Sequence, residues 1–365
     1  SSGDRLYSSS KYRKIDDNLP INKVAFIYLD FKNIDAAFLS RFSFINDKGL
    51  SAEEVLPFFS LFDSEGMSLI ALEDKFVLQS FLNLNHDKIA NNKYIDFKEK
   101  YEASLTEYID SEAIAFWGGS DIETQLKRLV ESLAGGADGT MAAFDSLLAN
   151  FSKKYLGKNI DYEDDVLPLL EKEFAIAVEE DNGKPYYKLL LVLNDSKADI
   201  LRVHDIADNF AKSRAAFQPE VVEYTLADGT VAKEIVASPQ QVLKSESEYK
   251  NKTIYHLQLG QKNWGIYYAF ADDIAVLSTN IKGVKTAIDA RSKDIENLKN
   301  SETYQKLMEP ILKSSDEVSY FNIEKLIQIY LKNNTPEILK PIKSISSGKN
   351  YFNDGIVTIN YLEIK

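Results

Sequence analysis

The chain has 365 residues, 44% of them hydrophobic, with 20 Phe and 20 Tyr, so it can bury substantial cores and is not a disordered protein. Its 56 acidic against 43 basic residues give a net charge of −13, which repels nucleic acid and anionic lipid headgroups and argues against either as a partner. Cysteine is absent, which excludes disulfides, thiolate zinc sites and cysteine nucleophiles, and no apolar run approaches the roughly 18 residues of a membrane span.

Residues 1–18 are polar and read as a flexible tether, either the end left when a signal or lipoprotein peptide is removed or an expression remnant. Ordered structure is expected from Leu19-Pro20, with a strand over 24–31 and helices over 33–41 and 53–62. A hairpin of strands 67–73 and 76–84 turns at Glu73-Asp74. A polar loop follows at 86–98, then strands 100–108 and 112–118. Ser120 and Glu123 form a capping box for a helix over 121–133, and a second helix spans 141–155.

Beyond Asn159 an acidic run leads through Val166-Leu167-Pro168 into strands 173–180 and 186–193, which flank the turn signal Asn182-Gly183. Helix 197–214 precedes a hairpin of 221–226 and 231–236 around Asp228-Gly229. Residues 238–252 read as a charged loop. Strands 253–259, 264–270 and 273–278 follow, then helix 281–298 capped by Asn280 and helix 302–313. The chain closes with strand 317–323, helix 324–333 and a hairpin through Asn353-Asp354-Gly355.

Val55-Leu56-Pro57 and Val166-Leu167-Pro168 each follow an acidic run and precede two strand-like segments. The strand beginning at Ile114 likewise resembles the one beginning at Ile274. These echoes predict an α+β chain of two diverged tandem modules, 19–157 and 158–365, each a mostly antiparallel sheet with helices on one face. An insertion near 196–238, helix plus hairpin, accounts for the uneven spacing and is where a partner surface is expected.

Three landmarks carry a family resemblance. They are Leu19-Pro20 before the strand at 24–31, the acidic Val-Leu-Pro-Leu-Leu segment at 164–178, and the strand pair and helix at 268–290, which opens on Tyr-Ala-Phe-Ala-Asp-Asp. Together they resemble an uncharacterised bacterial envelope family of domain-of-unknown-function proteins, over most of residues 19–330. The resemblance implies an extracytoplasmic location, at the bacterial cell surface or in the periplasm, with attachment through an N-terminal membrane anchor that this chain does not contain. It implies no catalytic residue and no cofactor.

The candidate sites each have a plain structural reading. Asp161, Glu163, Asp164 and Asp165 suggest calcium, but counting from Asp161 an EF-hand needs glycine and glutamate where Val166 and Lys172 stand. The cluster reads as a helix start favoured by the helix dipole, so no metal is expected. Gly118-Gly119-Ser120 lies between a strand and a helix but lacks the P-loop lysine, and reads as a close turn. His86, His204 and His256 stand far apart and lack the partners of a catalytic triad. Trp117, Trp264, Tyr267, Tyr268 and Phe270 are the candidate binding face, for glycan or peptide. The expected function is therefore non-enzymatic: an extracytoplasmic binding or structural protein with a protein partner or self-association. The alternative is a carrier holding a hydrophobic or glycan ligand against strands 24–31, 67–84 and 253–278.

Overall fold

The computed structural model describes residues 6–34, 62–85, 101–121, 150, 152–153, 156–157, 159–194, 196–216, 220–236, 242–259, 264–312, 315–331, 335–352 and 354–365. The expected helices at 33–41, 53–62 and 121–133, most of that at 141–155, the Val55-Leu56-Pro57 landmark, Glu123 and His86 lie outside them.

The first elements are helix α1 (Ser10–Asp17) and strands β1 (Ala25–Asp30), β2 (Phe62–Ala71), β3 (Lys75–Leu84) and β4 (Ala115–Ser120). Strands β5 (Glu173–Asp181) and β6 (Lys184–Val192) precede helix α2 (Ser196–Ala216). Strands β7 (Glu220–Thr225), β8 (Val231–Val236), β9 (Val242–Tyr249), β10 (Lys252–Leu259), β11 (Trp264–Ala271) and β12 (Ile274–Ser278) follow. Helices α3 (Ile281–Arg291) and α4 (Glu302–Leu312), strand β13 (Glu317–Asn322), the short helix α5 (Ile323–Leu326), and strands β14 (Ile342–Phe352) and β15 (Gly355–Ile364) complete the set. The α+β class expected from the sequence is the observed one.

The chain forms two compact units that are interleaved. Unit 1 comprises residues 1–104, 114–143 and 300–365, and unit 2 comprises 105–113 and 144–299. A division at 157/158 is therefore corrected: the last 66 residues return to unit 1, because β15 pairs with β3 and β13 pairs with β4.

Within unit 1 the strand order is β1-β2-β3-β15-β14-β13-β4, with neighbouring strands antiparallel throughout. Helices α1 and α4 pack on one face. A Cβ on Gly66 would lie 2.0 Å from Ile15 Cγ2, and one on Gly348 would lie 2.2 Å from Ile311 Cγ2, so glycine is what lets both helices approach. Residues 6–18 correct the tether reading. Ser9 caps α1, Tyr12 and Ile15 are buried, and Ile15, Leu19 and Phe81 form a core with Phe26, Tyr28 and Val357 packed against it. The alternation of Tyr12, Ile15 and Leu19 is helical but sits among so many polar residues that it does not stand out.

Unit 2 has the order β5-β6-β12-β11-β10-β9, again antiparallel, and the separate two-stranded ribbon β7-β8. Here the one-face expectation is corrected. Helix α2 sets His204 against Tyr255, Tyr268 and Phe270 on one face, while α3 sets Gly283 against Ser278 and Tyr186 on the other. Runs such as Leu189-Leu190-Leu191 and Ile274-Ala275-Val276 are apolar on both faces for that reason. The strand orders of the two units do not repeat one another. In particular, β4 ends unit 1's order whereas β12 lies between β6 and β11.

Two further corrections concern single elements. Residues 104–108 form a 3-10 turn, not a strand. The charged loop at 238–252 contains β9, whose run Lys244-Ser245-Glu246-Ser247-Glu248 has no apolar alternation because both its faces are exposed.

Candidate binding surfaces

The five aromatic residues do not line one face. Trp117 belongs to unit 1, on the face opposite α1 and α4. Its Nε1 donates to Glu317 Oε1 at 2.9 Å, and Lys349 Nζ and the Tyr351 hydroxyl reach the same carboxylate at 3.3 Å each. The other four lie on β11 in unit 2, where successive side chains point to opposite faces. Tyr267 stacks on His256 with ring centres 4.1 Å apart, on the face that carries α3. Tyr268 and Phe270 face α2, and Trp264 opens the strand, its side chain outside the described set. The segments of the carrier reading divide likewise, 24–31 and 67–84 into unit 1 and 253–278 into unit 2.

Tyr268 is almost fully buried, stacked on Tyr255 at 5.0 Å, and its hydroxyl is 2.8 Å from His204 Nδ1. This is a packed core with its polar tips satisfied. Burial holds the His204 imidazole below its ordinary 6.5, against the pull of Asp205 and Glu246, with Lys244 pushing the same way as burial. An unfolded chain therefore takes up that proton more readily, so the contribution to stability is present above pH 6.5 and is lost as pH falls from there toward the folded value. We expect His204→Gln, which keeps a hydrogen-bonding group, to flatten the fall in stability between about pH 7 and pH 5. Urea denaturation of the two proteins at both pH values checks it.

The remaining candidates resolve structurally. Asp161 caps a π-helical turn (Tyr162–Val166), accepting from the amides of Glu163 at 2.9 Å and Asp164 at 3.2 Å, and Asp165 accepts from the Asp161 amide at 2.8 Å. Among the described residues no group of three His, Asp or Glu side chains is placed to hold a metal ion. Gly118 is pressed against Tyr101 and Phe116, where a Cβ would lie 2.2 Å from the tyrosine hydroxyl.

A buried ionic network in unit 2 escaped the sequence reading. Lys188, fully buried, donates to Glu179 Oε1 at 2.7 Å, the Tyr108 carbonyl at 3.1 Å and Thr286 Oγ1 at 3.2 Å. Glu179 also accepts from the Tyr186 hydroxyl at 2.7 Å, Thr286 Oγ1 at 3.1 Å and the Asp110 amide at 3.1 Å. Burial pushes the Glu179 carboxyl up, but the Lys188 ammonium and these donors outweigh it and hold the group below the ordinary range. The available signal was a lone lysine inside the run Tyr186-Tyr187-Lys188-Leu189-Leu190. With every donor spent and no solvent access, the network ties α3 and residues 105–113 to the sheet.

Exposed apolar surface is concentrated elsewhere. The ribbon β7-β8 leaves Val221, Val222, Tyr224, Leu226, Val231 and Ile235 exposed, Ile235 to 71%. Edge strand β1 exposes Ile27 and Leu29, with Val24 just before it. Edge strand β9, by contrast, carries Lys244, Glu246 and Glu248, the usual guard against unwanted strand pairing.

A family described as "Protein of unknown function (DUF3352)" matches residues 224–358, from β7 into β15. The chain thus resembles a domain-of-unknown-function family, as its motifs implied. No curated protein matches the chain. Crystal form III of TP0453 is similar with a TM-score of 0.32 and 9% identity, over 71% of this chain and 79% of that one. The viral serpin CrmA is similar with a TM-score of 0.10 and 10% identity, over 76% and 97%. Scores at this level carry no argument about fold or function.

Proposed function

We propose that the protein is a non-catalytic, extracytoplasmic component of a bacterial cell envelope that binds another polypeptide through the ribbon β7-β8. The observation that carries this reading is the exposure of six large apolar side chains on a two-stranded ribbon whose strands, among the described residues, pair only with each other. A lone hairpin is marginally stable in water, and this one leaves large apolar side chains exposed on both its faces, Val221, Val231 and Ile235 on one and Val222 and Tyr224 on the other, which marks it as an interaction element. The absence of cysteine suits a compartment where unpaired thiols are a liability.

A photo-crosslinking side chain at Val222, with the protein expressed in its source cells, tests the reading. A discrete polypeptide adduct is expected, and Val221→Ser with Ile235→Ser should abolish it while the melting curve stays unchanged. An adduct that survives those substitutions, or no polypeptide adduct at all, overturns the proposal.

A further inference from the structure

We infer that the ribbon's partner is a second copy of this chain: β8 of one copy adds antiparallel to the free edge of β1 in the next, bringing Lys233 over Leu29 to Glu65. The inference rests on the reading of the ribbon as the binding element and names what it binds.

The acceptor is built in unit 1. Among the described residues strand β1 pairs on one side only, with β2, and its outward face presents Ile27 at 54% and Leu29 at 38% exposure. Directly across from Leu29 stands Glu65, which faces Leu82 on its other side. Other carboxylates of this region have lysine partners: Asp30 and Asp63 share Lys11, and Asp74 has Lys306. Glu73 is exposed at the turn. Glu65, partly buried between leucines, has no hydrogen-bond or ion-pair partner among the described residues, and burial alone holds its carboxyl above the ordinary range. A carboxylate left among apolar side chains is costly until a cation reaches it.

A second β1 does not supply one, since Ala25–Asp30 contains no lysine or arginine. Strand β8 does. Val231, Lys233 and Ile235 alternate along one of its faces, all three exposed. Among the described residues Lys233 is held only by Glu223 at 2.5 Å, in a pair exposed at both ends and so easily exchanged. With Lys233 set opposite Leu29 in an antiparallel pair, Ile235 falls opposite Ile27, and two exposed apolar side chains cover each other. Glu65 then lies two strand spacings from Lys233, about 10 Å between backbones at roughly 4.8 Å per strand, a span the two long side chains bridge together. Donor and acceptor are different surfaces, so the contact is head-to-tail and adds copies in series.

The test is sedimentation velocity over a rising concentration series. Wild type should grow beyond a dimer as concentration rises. Lys233→Glu and Glu65→Lys should each weaken association about tenfold or more when alone. Mixing these two variants restores opposite charge at every junction and should restore growth. Glu65→Gln, a change that keeps size and polarity, guards against misfolding of the lysine variant and should weaken association as well. Wild-type monomer at every concentration, or single variants that assemble like wild type, overturns the inference. If wild type stays monomeric while Val222 crosslinks to a different polypeptide, the second-copy inference fails and the ribbon reading stands. If neither association nor an adduct is found, both fail.

Discussion

Lys188→Met is expected to destabilise unit 2 by about 3–5 kcal/mol, the usual cost of removing one partner from a buried ion pair. The lysine and Glu179 are both shielded from solvent, so the variant leaves a carboxylate with the Tyr186, Thr286 and Asp110 donors but no counter-charge. Urea unfolding, with amide exchange in β5 and β6 to localise the effect, measures it. The double variant Lys188→Met with Glu179→Leu should recover much of the loss, because two apolar side chains replace two desolvated charges. The pH dependence gives a second readout. In the wild type the folded Glu179 carboxyl sits below its ordinary value, so its contribution is present above that value and disappears as acid titrates the folded group. Without Lys188, burial dominates and raises the carboxyl. The deficit of the single variant should therefore be largest at neutral pH and shrink in acid.

Ile15→Ala should destabilise unit 1 by about 2–5 kcal/mol, the range for large-to-small changes in a packed core. Ile15 is fully buried against Leu19 and Phe81, and its Cγ2 occupies the space that Gly66 leaves open. A substitution in a free tether would change stability by less than about 0.5 kcal/mol. Thermal and urea denaturation of this one variant thus distinguishes an N-terminal helix that completes the core from a segment that only leads into it.

Much of the architecture was legible where local chemistry and tertiary context agreed. Asn182-Gly183 and Asp228-Gly229 announced hairpins through their positive-φ positions, and Asn280 announced α3 through its capping amide bond. Misreadings arose where tertiary contacts decide. Helix α1 is polar over most of its surface, and only its fit over Gly66 makes it part of a core. Strand β9 is an edge, exposed on both faces, and so has no hydrophobic period to read. The interleaving of the units was hidden because strand partners far apart in sequence leave no local trace. The aromatic run at 264–270 was recognised as strand, yet composition does not show that Tyr267 and Tyr268 face different helices. The ribbon at 221–236 was legible as a hairpin. Glu65 and Lys233 were not, because a single charge inside a strand gains meaning only from its register.

The return of residues 300–365 to unit 1 has a consequence for how the chain is made. A ribosome releases β1, β2 and β3 early, but the strand that covers β3 is β15, which follows every other described element in the chain. Through the synthesis of the intervening segment, the edge of β3 that β15 will cover has no native strand partner, while unit 2 can already close on itself. Such long-range pairing is slow and leaves strand edges open to aggregation. Closing β3 on β15 is thus a late, slow step of folding, and the time before it is when unit 1 is most prone to aggregate.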